Sequence, residues 1–98
     1  MSEPSKTRTS FYRRLYVAWL ISQGMDTVPA IMEATGMPRR TAQDTLSALA
    51  QLDIHCTFTQ TEGARHLQGH YHISDWGPIN PDWIEGQLPF IKETLSYP

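Results

Sequence analysis

Four histidines and a pair of adjacent arginines are the residues of this chain whose types and spacing could carry chemistry. His55, His66, His70 and His72 crowd into one stretch, and imidazoles near one another can ligate zinc or change charge near neutral pH. No cysteine or carboxylate spacing completes a ligand set around them, so solvated histidines, or histidines lying against phosphates, are the plainer alternative. Arg39 and Arg40 offer guanidiniums that pair with phosphates or guanine edges, and Gln43 offers a carboxamide able to pair with adenine. Asp44 can accept from cytosine or hold Arg40 four residues earlier, although it costs affinity on a phosphate-facing surface. Thr41 and Ser47 are further hydrogen-bonding candidates, and Arg65 with His66 forms a second basic pair. Catalysis is not indicated. The sequence has no phosphate-cradling glycine loop, no nucleophile with a spaced base and no paired carboxylates on one helical face. We therefore expect no enzyme, no cofactor and no resident metal.

These residues need elements to hold them, and the segment Thr27–Ile54 supplies the main pair. Val28, Ile31, Met32 and Thr35 recur at helical spacing, and Gly36 provides the permissive backbone that closes a helix. Met37 is a buried-type residue in the turn. Pro38 has the fixed φ of a first helical position, and Ala42, Leu46, Leu49 and Leu52 then share one face, which predicts a second helix over 38–52. Upstream, Ser10 is a plausible cap for a helix through FYRRLYVAWLISQ that stops near Gly24. Leu15, Ala18 and Ser22 form one stripe of it, Val17, Leu20 and Ile21 its flank, and Tyr12, Tyr16 and Trp19 lie beyond. Arg13 and Arg14 point away from Leu15's stripe, a placement that is more often a solvated edge than a phosphate contact. One core face cannot absorb so much apolar surface, so either the C-terminal segment or a second subunit must cover the rest.

Beyond Leu52 the period changes to alternation. Ile54, Cys56 and Phe58 take one face of a strand and His55, Thr57 and Thr59 the other. Residues around Gly63 and Ala64 make a turn, and HLQGHYHIS returns with Tyr71 and Ile73 inward and His70 and His72 outward. That pairing puts His55 opposite His72 and Gly69 opposite Phe58. Cys56 is expected to pack beside Tyr71 as a small hydrophobe rather than as a reactive thiol. Asn80-Pro81-Asp82 opens a last helix carrying Trp83, Ile84, Leu88, Ile91 and Leu95, which Pro89 should kink or break.

The stretch EATGMPRRTAQDTLSAL resembles the helix-turn-helix of winged-helix regulators, closest to the small DNA-binding domains of the IclR and MarR types. The resemblance runs from helix 1 through the hairpin, roughly residues 10 to 75. Met32 stands where a small residue is usual and Ala42 where a β-branched one is, an exchange that conserves packed volume. The resemblance implies a mostly α fold with a small β-hairpin: a three-helix core, a two-stranded wing and an extra C-terminal helix. Residues 1–9 would be a flexible arm carrying Lys6 and Arg8, residues 10–75 the winged helix-turn-helix domain, and residues 76–98 a helical extension packing on helix 1. It further implies a bacterial transcriptional regulator that binds double-stranded DNA through the helix 38–52 and the wing, as a homodimer joined by helix 1 and the C-terminal segment.

Ninety-eight residues suffice for one modest core. The hydrophobic fraction of 40% and charged fraction of 18% fit a soluble globular chain. The sequence has no bilayer-length apolar run and no apolar signal-peptide core, so we expect a cytoplasmic protein with no membrane partner. A lone Cys56 fits a reducing compartment. The net charge of −2 is low for a small DNA binder, but the distribution is uneven. Residues 1–52 set Lys6, Arg8, Arg13, Arg14, Arg39 and Arg40 against Glu3, Asp26, Glu33 and Asp44, a balance of +2. Residues 53–98 set Arg65 and Lys92 against Asp53, Glu62, Asp75, Asp82, Glu85 and Glu93, a balance of −4. One basic face permits DNA binding; the acidic half equally suits a winged-helix module that docks another protein without binding DNA.

Overall fold

The structure, a computed structural model, describes residues 4–60 and 69–98. Its first helix, α1 (Lys6–Ser22), begins earlier than the spacing predicts: Ser5, not Ser10, is the cap, and its hydroxyl accepts a hydrogen bond from the Arg8 N–H at 3.1 Å. Lys6 and Arg8 therefore ride on a helical first turn rather than on a nine-residue arm. That turn faces water, so its formation imprints no apolar period on the sequence, whereas a cap side chain is enough to start it. Ser22 also departs from the expected stripe. It is exposed, and its hydroxyl donates back to the Trp19 carbonyl at 2.6 Å.

The helix pair forms around Gly36. In α2 (Val28–Thr35) the Thr27 hydroxyl caps the first turn by accepting from the Ala30 N–H. Gly36 ends it at φ +81°, a left-handed conformation that an L-residue adopts only at a cost, while its N–H donates to the Met32 carbonyl at 2.7 Å. Thr35 is buried and locks the turn: its hydroxyl donates to the Ile31 carbonyl and accepts from the Met37 N–H. The next helix, α3 (Arg39–Ala48), uses Pro38 as its cap residue rather than its first helical position, and it tightens into a 3₁₀ turn over Leu49–Leu52. The straight α-helix is thus shorter than 38–52. Asp53, at φ 60°, then turns the chain into the hairpin.

Strands β1 (His55–Gln60) and β2 (Gly69–Asp75) pair antiparallel, with an irregularity after His55. The regular part of the ladder sets Thr57 opposite His72, two residues from the expected register, and the irregularity adds one more at His55, which lies opposite Asp75 instead of His72. Gly69 lies opposite Gln60 rather than Phe58, although a Cβ there would still come within 2.8 Å of the Phe58 ring. Sequence alternation gives the faces of a hairpin but not its register, since a slip of two residues keeps every side chain on its face while changing every partner. The expected turn at Gly63 and Ala64 lies outside the described residues. Two short helices follow, α4 (Pro81–Gly86) and α5 (Leu88–Leu95), separated at Gln87 just before Pro89.

The core is organised around α1, which is buried on two sides. Val17, Ala18 and Ile21 join Val28, Ile31, Met37, Ala42, Leu46, Leu49 and Ile54 in one cluster. Tyr12, Leu15, Tyr16 and Leu20 join Ile84 and Ile91 in a second. The surplus apolar surface of α1 is therefore covered within the chain by α4 and α5. Each fully buried aliphatic side chain contributes about 1.5–3 kcal/mol, so both clusters matter to a chain this small. Met32 and Ala42 fall in the same packed region, with Ala42 fully buried and Met32 at its margin.

Candidate nucleic-acid interface

Helix α3 divides cleanly into two sides. Ala42, Thr45 and Leu46 are buried against the core, because they recur at the helical period and carry little or no charge. Arg39, Arg40, Gln43, Asp44 and Ser47 are exposed, and Thr41 is half-buried at the edge of that face. The buried Thr45 hydroxyl is satisfied by donating to the Thr41 carbonyl at 2.7 Å. The structure therefore brings six of the eight sequence-proposed contact residues onto one surface of one helix. Arg65 and His66, the other two, lie outside the described residues.

Arg40 Nε stands 4.0 Å from Asp44 Oδ2, with the two side chains 91% and 75% exposed. A pair so open to water is worth at most about 1 kcal/mol and can be exchanged for a phosphate or base edge. Pro38 provides no side-chain cap to the first N–H groups of α3.

The wing is fixed to the helical body from below. The Tyr71 N–H donates to the Asp26 carbonyl at 2.8 Å, and His70 Nδ1 lies 3.0 Å from Asp26 Oδ1. The α1–α2 loop thereby anchors β2 to the helical body. Only the base of the inner face is packed: Cys56, Tyr71 and Ile73 are partly buried against the core, whereas Phe58 is 45% exposed and lies against Tyr71. Burial pushes the Cys56 thiol above its ordinary value, with the His72 backbone hydrogen bond working weakly the other way. A thiol held protonated is a poor nucleophile at neutral pH.

His55, His70 and His72 do not converge. His55 faces Asp75 across the hairpin, His70 is taken by Asp26, and among the described residues no group of three potential ligands forms a metal site. Adding zinc, cobalt or nickel is accordingly expected to leave the melting temperature unchanged. A rise that His72→Ala abolishes would overturn this, since a ligand that binds only the folded state must stabilise it by mass action.

One feature was not legible in the sequence. Arg13 and Arg14 are not a solvated edge: both are half-buried and line a groove between α1 and α3, together with Ser10, Thr41 and Asp44. Helical phase alone puts them beside the apolar stripe, and only the packing of α3 across α1 makes that flank a groove.

The order of helix, helix-turn-helix, hairpin and terminal helices over one core defines a winged helix-turn-helix protein. Residues 6–95 match the family described as winged helix-turn helix, and the chain belongs to that family. The fold is also that of a crystal structure of a DUF2131 family protein from Shewanella amazonensis SB2B. The two are 36% identical with a TM-score of 0.87, over 97% of this chain and 91% of that one. No curated protein matches the chain. Winged helix-turn-helix domains are in general a DNA-binding class, and among the described residues no helix is long and apolar enough to cross a membrane.

Proposed function

We propose that the chain is a sequence-specific DNA-binding transcriptional regulator of the bacterial cytoplasm. Helix α3 enters the major groove and the hairpin serves as the wing. The observation that carries this is the exposed side of α3, where Arg39, Arg40, Gln43 and Ser47 stand together while the opposite side is sealed into the core. Such a surface matches the donor and acceptor pattern of base edges, with the arginines also able to reach phosphates. Asp44 restrains Arg40 in the free protein and either accepts from cytosine or releases Arg40 on binding. Arg65 and His66 would add contacts from the wing to the neighbouring backbone.

The active unit we propose is a homodimer. The faces of α1 that looked in surplus are filled internally, so the contact would use the outer side of the C-terminal helices, where Trp83 is 46% and Phe90 47% exposed, with the half-buried Phe11 and Trp19 of α1 nearby. Those same aromatic residues, set among Asp82, Glu85 and Glu93, favour a second reading in which the chain docks another protein and binds no DNA.

Selection from random duplexes separates the two. It is expected to return a two-fold symmetric site with half-sites about one helical turn apart. Arg40→Ala and Gln43→Ala should each relax preference at particular bases by about 1–3 kcal/mol. Enrichment of no sequence, with no duplex bound even at low salt, would exclude the regulator and leave the docking module.

A further inference from the structure

We infer that the groove between α1 and α3 is a binding site for a DNA phosphodiester, with Arg13 and Arg14 as the groups that hold it. The inference rests on the proposal that α3 reads DNA, and it adds a contact surface on a different helix. Arg13 and Arg14 are half-buried and line the seam between the two helices, a position where an arginine packs its aliphatic stem on apolar surface and keeps its guanidinium toward water. Among the described residues neither forms an ion pair; the pairs present are Arg40–Asp44 and His70–Asp26. A half-buried arginine with no carboxylate partner among the described residues is disposed to take an anion, and its guanidinium suits the paired oxygens of a phosphate.

Placement supplies the rest. Thr41 and Asp44 belong both to the exposed side of α3 and to this groove, so the two surfaces are continuous. A helix seated in the major groove has phosphate strands along its borders, and the flank of α1 beside α3 meets one of them. The Ser10 and Thr41 hydroxyls give neutral donors at the same place. The one acid among the described residues that line the groove, Asp44, opposes an anion, but Arg40 stands close enough to offset it.

The test is a titration of the full chain against a labelled duplex over a range of salt concentrations. Wild type is compared with Arg13→Gln/Arg14→Gln, with each of those changes alone, and with Arg13→Lys/Arg14→Lys. Each phosphate contact contributes about −0.9 to the slope of log K against log salt. The glutamine pair is expected to flatten that slope by about two and to weaken binding to every sequence by roughly tenfold per arginine. The lysine pair should keep most of the slope, and each single glutamine variant should flatten it by about one. A glutamine pair with the wild-type slope would overturn the groove while leaving DNA reading by α3 intact. A wild-type chain that binds no duplex would overturn both. If the glutamine pair melts early, the single variants decide: a slope flattened by about one in each supports the groove, and the wild-type slope in both overturns it.

Discussion

Ile84→Ala is expected to lower the unfolding free energy by about 2–5 kcal/mol, a large share of the total stability of a domain this size. Ile84 lies on a helix of only one and a half turns, α4, yet it is fully buried, packed with Leu15, Tyr16 and Leu20 of α1 and with Ile91 of α5. Truncating it opens a cavity against the side of α1 opposite the helix-turn-helix. Helix α1 is shared by both clusters, so the damage should reach α3 as well. Urea denaturation of Ile84→Ala beside Ile84→Val would measure it, with the valine variant expected to lose about 0.5–1.5 kcal/mol. A loss under about 1 kcal/mol for the alanine variant would mean that the terminal helices dock loosely and that residues 10–75 stand alone as a domain. We expect the opposite: a chain ending after Asp75 should not fold cooperatively.

The second large effect is at Gly77, where the chain leaves the wing. Its φ is +59°, a left-handed conformation, and a Cβ there would run into the carbonyl oxygen of Asp53. Its N–H also donates to Asp75 Oδ1 at 2.8 Å, so the turn cannot move freely to make room. Gly77→Ala should therefore cost about 2–4 kcal/mol, from left-handed backbone strain together with a clash against another segment's main chain. Asp53 ends the 3₁₀ turn after α3. Pushing on it shifts β1 relative to α3, so DNA affinity should fall along with stability. A thermal melt settles the first part, and an unchanged melting temperature would show that the crossing is loosely packed.

The helix-turn-helix was legible because its signals are local. Thr27, Gly36 and Pro38 act on their own backbone, and Ala42, Leu46 and Leu49 announce the buried side of α3 by their period. The same period assigned Arg39, Arg40, Gln43 and Ser47 to the open side, because a helix that buries one face must expose the other. The break before Pro89 and the alternating faces of the hairpin were equally local. The first turn of α1 was missed for the converse reason: exposed on all sides, it has no apolar pattern to read.

What the sequence by itself determined is the set of elements and their wet and dry faces, since caps, turns and periodicity operate over a few residues. Tertiary structure alone decided which segment covers which face. The apolar surplus of α1 could have met a second subunit, and only the docking of Ile84 and Ile91 shows that α4 and α5 fill it. It also set the hairpin register, in which Thr57 rather than His55 faces His72, while an irregularity after His55 adds one more residue and leaves that histidine opposite Asp75. By laying α3 across α1, it converted Arg13 and Arg14 from a helix edge into the wall of a groove. These pairings join residues distant in sequence, and no local propensity encodes the angle or offset at which two packed elements meet.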